Sequence, residues 1–417
     1  MPDSQPQPPH SSGSAGRRPS GDGTALLLSG ARLTDGRTVD VRVQDGRIQA
    51  VGTQGSLGTA PCTTRVDLTG YLLLPAPAEP HAHSDTALSA DSDGPVDLDP
   101  QDVQRRATEA ALLQLGHGAT ALRTHVRIGD MQGLGPLEAV LQARRALHGL
   151  AELTVVAVPR LLTGAAGADG LALLRDAVKM GAGVIGGCPD TDPDPAGYVE
   201  AVTEIAAEYG CPVDLHTDGA DPARLARLAA MTGGLRPGVA LGPCGGLARL
   251  PETAAGHAAE RLAASGVTVV CLPQGNCGSI DGHGTAPVRL LRSAGVPIAA
   301  GSGSLRDVSN PAGRGDPLEA AYLLASREGL PPAEAYAAIS ATARAALGLP
   351  EIRVEAGFPA ELLAVRGERL SGVLSLAYSR IVVHRGRIVA RTSAVREYCD
   401  SAAIAVLDLP RQGRSGG

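Results

Sequence analysis

Aromatic and lysine side chains are almost missing from this chain. Aromatics make up 2% of its 417 residues, Phe358 is the sole phenylalanine and there is no tryptophan. The core must therefore be built from Leu, Val, Ile and Ala, and base stacking on aromatic platforms is not expected. Lys179 is the sole lysine, on a helical pattern whose polar face should carry it. A Schiff-base mechanism is thereby excluded unless Lys179 serves it. The seven cysteines, at 62, 188, 211, 244, 271, 277 and 399, are odd in number and form no C-x-x-C pair. They read as reduced thiols of a cytoplasmic protein. No apolar run reaches membrane-spanning length, and Arg17-Arg18 is followed only by the short Leu26-Leu27-Leu28. A net charge of −6 argues against nucleic acid or an anionic membrane as partner.

What is present is strand and helix punctuation in a clear order. Residues 1–24 are rich in Pro, Ser, Gly and Gln and are expected to be disordered. Residues 25–70 alternate in the strand manner, with Asp35-Gly36 and Asp45-Gly46 as hairpin signals. From residue 71 to 350 the period switches repeatedly between strand and helix, closing with helices expected over 317–328 and 332–346. Eight such units, counting the strand that ends in His81-Ala82-His83, predict an α/β (β/α)8 barrel of the TIM type. Residues 355–400 return to strand character and are expected to join 25–70 in a small β-sandwich domain built from both chain ends. The tail 403–417 is expected to fray. Gly181-Ala182-Gly183-Val184-Ile185-Gly186 fits G-x-G-x-x-G but leaves a helix and enters a strand. That is the reverse of a dinucleotide fingerprint.

In such barrels the working residues lie at the C-terminal strand ends. Read in order, those ends carry His81 and His83, Arg123 and His125, Arg160, Asp190, His216 and Asp218, Pro243 and Cys244, Gln274, and Ser302-Gly303-Ser304. His81 and His83 share one face of an extended segment, and His216 would meet them across the barrel mouth. Three imidazoles there can hold a divalent metal. His125 reads as a hydrogen-bonded pocket or core histidine.

Glu79-Pro80-His81-Ala82-His83-Ser84-Asp85, Leu122-Arg123-Thr124-His125-Val126, Asp214-Leu215-His216-Thr217-Asp218 and Asp316-Pro317-Leu318-Glu319-Ala320-Ala321 together resemble the amidohydrolase superfamily, in its cytosine deaminase-like branch. The resemblance runs from about Leu26 to Ala390. It implies metal-dependent hydrolysis of a carbon–nitrogen bond, by deamination or ring opening of a cyclic amide. It also implies three groups that this chain lacks. A glutamate three residues after the strand-five histidine is here Gly219, a strand-six histidine is Pro243, and a strand-eight metal-binding aspartate is Gly303. A glutamine that often ends strand three is Arg160.

Two readings follow. The chain is either an enzyme in which Asp218, Cys244 or His283 replaces a lost group, or a catalytically silent barrel that binds a small molecule or a protein. Arg160 points to an anionic ligand, or else to a salt bridge with Asp190. The expected cofactor is zinc or iron, weakly held by His81, His83 and His216, with imidazole protonation competing below about pH 6.5. The expected partners are a small-molecule ligand and further copies of the chain.

Overall fold

The computed structural model describes residues 25–58, 63–91, 96–165, 167–275, 284–376 and 379–394. The tails expected at 1–24 and 403–417 lie outside these, as do Cys62, Cys277, Cys399 and His283.

The chain opens with β1 (Ala25–Arg32), β2 (Thr38–Gln44), β3 (Arg47–Thr53), β4 (Thr63–Asp67) and β5 (Tyr71–Pro75). Eight barrel strands follow: β6 (Ala78–Ala82), β7 (Ala121–Ile128), β8 (Glu152–Pro159), β9 (Val184–Gly187), β10 (Val213–Thr217), β11 (Val239–Pro243), β12 (Thr268–Cys271) and β13 (Ile298–Ala300). The last strands are β14 (Leu362–Arg366), β15 (Arg380–His384) and β16 (Arg387–Thr392).

Strands β6 to β13 form one parallel sheet in sequence order. A parallel bridge between Ala82 and Gly303, and a hydrogen bond from Gly303 N to the His81 carbonyl, join its first and last members. Helices separate the strands. Four of them begin the same way, at Asp99-Pro100, Asp194-Pro195, Asp221-Pro222 and Asp316-Pro317. In each the aspartate carboxylate accepts from a first-turn backbone N–H, while proline takes the position whose N–H has no helical partner. The Gly181–Gly186 run connects the helix Gly167–Met180 to β9, as turn chemistry requires. Lys179 is exposed and pairs with Asp176.

The small domain is one mixed sheet, ordered β16-β15-β14-β5-β1-β2-β3, with β4 parallel to β1. Val39, Val41 and Val43 from one end share a core with Ile381 and Val383 from the other, so the sheet folds over on itself. Its two hairpin tips meet there. Asp45-Gly46 and Arg385-Gly386 both have positive φ at both residues, the backbone that tight two-residue turns demand.

Two expectations need correcting. Tyr71–Pro75 belongs to the small sheet, paired with β14 in the register Leu74↔Leu363. The barrel therefore starts at Ala78, after Pro75 and Pro77 have interrupted the run. The helix expected over 332–346 is two helices, Pro332–Ile339 and Ala341–Ala346, broken at Ser340 where ψ is −88°.

Candidate metal centre

Period-two alternation builds this site. In β7 it turns Arg123 and His125 inward, and in β10 it does the same for Asp214 and His216. His81 and His83 arrive from the end of β6. One ring nitrogen from each of His81, His83, His125 and His216 lies within 4.8 Å of the others. The His81 ring centre is 4.1 Å from that of His125 and 4.6 Å from that of His216. The three expected histidines thus come together, and His125 is a fourth member of the cluster that sequence reasoning set aside as a pocket residue.

Beneath the rings lies a buried ion pair. Arg123 Nη1 donates to Asp214 Oδ2 at 2.9 Å and Nη2 donates to the Ala346 carbonyl at 2.9 Å. Asp214 Oδ1 sits 3.3 Å from His125 Nε2, close enough for an ion pair but outside hydrogen-bond geometry. His125 Nδ1 faces the Ala82 carbonyl at 3.4 Å. A carbonyl only accepts, so this nitrogen carries the proton and Nε2 is left as a lone pair.

Burial keeps all four imidazoles neutral. It pushes His83 down to about 4, with help from Arg127, and His216 down to about 3. His81 and His125 are held well below the usual histidine range by burial and by neighbouring imidazoles. Among the described residues, no hydrogen-bond partner meets His83 Nε2 or His125 Nε2. Leaving such buried polar atoms unmatched costs about 1–3 kcal/mol each. A set of neutral imidazole donors therefore fits a first-row divalent ion.

Other strand-end groups are committed elsewhere. Asp218 accepts from Arg249 at 2.6 Å and from Gly246 N at 2.9 Å. Asp190 accepts from Thr217 Oγ1 at 2.9 Å and from Asp218 N at 3.1 Å, with Arg224 at 3.7 Å. Glu79 is fully buried and accepts from His81 N and from both the backbone N–H and hydroxyl of Ser302. Burial raises its carboxyl to about 7. Cys244 is buried, and burial pushes its thiol up rather than activating it. Gln274 donates to the Asp316 carbonyl at 2.6 Å. Arg160 ends β8 exposed.

Asp85 is different. It is buried two residues past His83, and desolvation raises it to about 6 against the opposing pull of Arg127. Arg127 is exposed at the end of β7 and acts on His83, Asp85 and His216 together. Sequence reasoning passed over it, although its place two residues beyond His125 was the available signal.

Gly219, Gly303 and Pro243, where the resemblance implies other residues, lie against packed neighbours. Gly219 has φ +71°, and a Cβ there would meet Leu247 Cγ at 3.3 Å and Leu225 Cδ2 at 3.4 Å. Gly303 has φ +69°, and a Cβ there would meet Leu272 Cδ1 at 3.2 Å and the Gly275 carbonyl at 3.3 Å. Pro243 ends β11 and is buried.

Comparison with known proteins places this geometry. A pterin deaminase from Rhizobium rhizogenes is 28% identical over 394 residues, covering 85% of this chain and 88% of that protein. The crystal structure of N-isopropylammelide isopropylaminohydrolase from Burkholderia multivorans is 27% identical, with a TM-score of 0.77 over 89% of this chain and 100% of that one. A 5-methylcytosine deaminase from Klebsiella pneumoniae, liganded with 5-fluorocytosine, shares the fold at 23% identity and a TM-score of 0.77, over 91% of this chain and all of its own. An amidohydrolase family model matches residues 114–390. With that match spanning most of the barrel and the closing strands, the chain belongs to the amidohydrolase family.

Proposed function

We propose that this protein binds an anionic small molecule over a metal held by His81, His83 and His216, and does not hydrolyse carbon–nitrogen bonds at a rate typical of its family. The relatives above are named for acting on a pterin, an ammelide and 5-methylcytosine. Releasing an amine from such a ring requires a base to take a proton and an acid to deliver one to the leaving nitrogen. Each positioned group contributes roughly 10²–10⁴-fold in rate. The observation that carries the reading is the packing at the two glycines. A Cβ at 219 would press on Leu247 and Leu225, one at 303 would press on Leu272 and the Gly275 carbonyl, both at left-handed φ, and Asp218, the candidate substitute base, is tied to Arg249 and Gly246.

A divalent ion, zinc or iron, would supply Lewis-acid character at the centre. Neutral imidazoles bring it no negative charge, so it is held less tightly than in a centre completed by a carboxylate. Arg123 neutralises Asp214 beneath the rings, and Arg127 and Arg160 add positive charge at the mouth. The arrangement favours a carboxylate or phosphonate as ligand, since guanidinium forks suit both.

One observation favours the competing reading of an enzyme with an altered base. Asp85 is a buried carboxyl near the centre with a pKa of about 6. The two readings part in a single experiment. Protein loaded with zinc or iron is assayed for ammonia and amine release from pterins, pyrimidines and ammelides, and titrated calorimetrically with carboxylate and phosphonate analogues of the same rings. The proposal expects saturable binding of the anionic analogues and no release above the metal-only background. Robust release that is lost in Asp85→Asn would overturn it.

A further inference from the structure

We infer that His125 is the fourth ligand of the metal centre, completing it where strand eight supplies no carboxylate. The inference rests on reading the histidine cluster as a metal site, and adds a donor that the three-histidine reading omits.

Three features of the chain lead to it. The first is proximity, because one ring nitrogen of His125 belongs to the same 4.8 Å group as one from each of the other three. The second is the tautomer. Proton donation from Nδ1 to the Ala82 carbonyl fixes the lone pair on Nε2, the nitrogen left without a partner. A hydrogen bond at one ring nitrogen is how proteins orient the other for coordination. The third is the contact with Asp214. Nε2 and Asp214 Oδ1 are both acceptors, both buried, and only 3.3 Å apart. Two unmatched acceptors this close together are unfavourable in a dry interior. Arg123 grips the other carboxylate oxygen and is itself tied to the Ala346 carbonyl, so Asp214 has little freedom to turn away. A cation bound at Nε2 turns that unfavourable contact into an attraction.

Strand eight offers no competing carboxylate. Gly303 has no side chain, and Leu272 and the Gly275 carbonyl crowd the place where one would begin. The hydroxyl of the preceding Ser302 is engaged with Glu79. His125 thus completes a four-nitrogen centre without an anionic ligand, and Asp214 with Arg123 is its positioning pair.

The test is metal binding, independent of any turnover. Chelator-treated full-length protein is titrated with Co²⁺ and Zn²⁺ against a competing indicator, and the zinc form is examined by X-ray absorption. The wild-type protein should bind one ion with four imidazoles in the coordination shell and an intense four-coordinate cobalt spectrum. His125→Ala should lose more than about 100-fold in affinity, beyond the 10–100-fold typical of outer partners, and show three imidazoles. Asp214→Asn should keep four imidazoles while losing affinity within the outer-partner range. Wild-type affinity and spectrum in His125→Ala, with His216→Ala unable to bind, would leave the metal centre standing and overturn this inference. A wild-type protein that binds neither ion would remove both readings. Should His125→Ala fail to fold, the imidazole count on the wild-type protein decides alone, three imidazoles being the overturning result.

Discussion

At the residue scale, the burial that keeps four imidazoles neutral also sets the response to acid. A histidine whose folded pKa lies below its unfolded value near 6.5 destabilises the fold as pH drops, because the unfolded chain takes a proton that the folded chain refuses. That window runs from 6.5 down to about 4 for His83 and about 3 for His216. Glu79 and Asp85, raised to about 7 and about 6, act in the opposite sense: their contribution is full at low pH and lost as pH rises through those values. Four imidazoles outnumber two carboxyls, so the metal-free protein should lose stability between pH 6.5 and 4.5. The loss is at most about 1.4 kcal/mol per pH unit for each uncompensated proton. Urea midpoints across that range measure it, and a midpoint that stays level or rises on acidification would contradict the assignment of neutral buried histidines.

The two glycines make a second residue-scale prediction. Restoring Gly219→Glu and Gly303→Asp places side chains at left-handed φ, which costs roughly 1–2 kcal/mol at each position, before any displacement of Leu247 or Leu272. The double variant should therefore unfold at lower urea than the parent and still release no ammonia. Appearance of turnover in it would mean that the leucines yield readily and that carboxylates at these two positions suffice for activity.

At the element scale, the alternation of strands and helices was legible because the apolar period switches repeatedly between strand and helix along the chain. Domain membership at Tyr71–Pro75 was not, because Leu72, Leu73 and Leu74 read the same in either sheet and only pairing with β14 assigns them. His81, His83 and His216 could be read from their places at strand ends. His125 could not be separated from an ordinary interior histidine without knowing which β10 residues face it. Joining the two domains is a long-range device that was equally invisible. Arg380 in β15 donates from both terminal nitrogens to the carboxylate of Asp316, the cap of the helix Pro317–Ser326, and also to the His117 carbonyl. Both side chains are about 5% exposed or less. Removing one partner of a buried pair strands the other, so Arg380→Ala should lower stability by about 3–5 kcal/mol. Chemical denaturation measures this, and a loss under about 1 kcal/mol would show that the pair behaves like an exposed one.

At the scale of the whole molecule, the candidate metal centre stands on a core that does not depend on it. The barrel is packed by a continuous cluster of Leu, Val, Ile and Ala running through its strands and covering helices, and the small domain encloses a core of its own. Chelation should therefore leave a folded protein, unlike small domains that lack a core without their ion. Binding to the folded state alone then adds stability by mass action, about 2.7 kcal/mol when free ion stands at a hundred times its dissociation constant. The pH range of that gain distinguishes the buried centre from one whose imidazoles titrate at the ordinary value expected from sequence. Ordinary imidazoles would give up metal below about pH 6.5. Here the folded imidazoles resist protonation until about 4, so protons compete with the ion only in strong acid. Zinc affinity of the folded protein should stay level from pH 7.5 to about 5 and fall only below that. A tenfold loss of affinity per pH unit beginning at 6.5, in protein still folded by circular dichroism, would show that the histidines meet water and that the closed, neutral cluster does not describe the metal-free state.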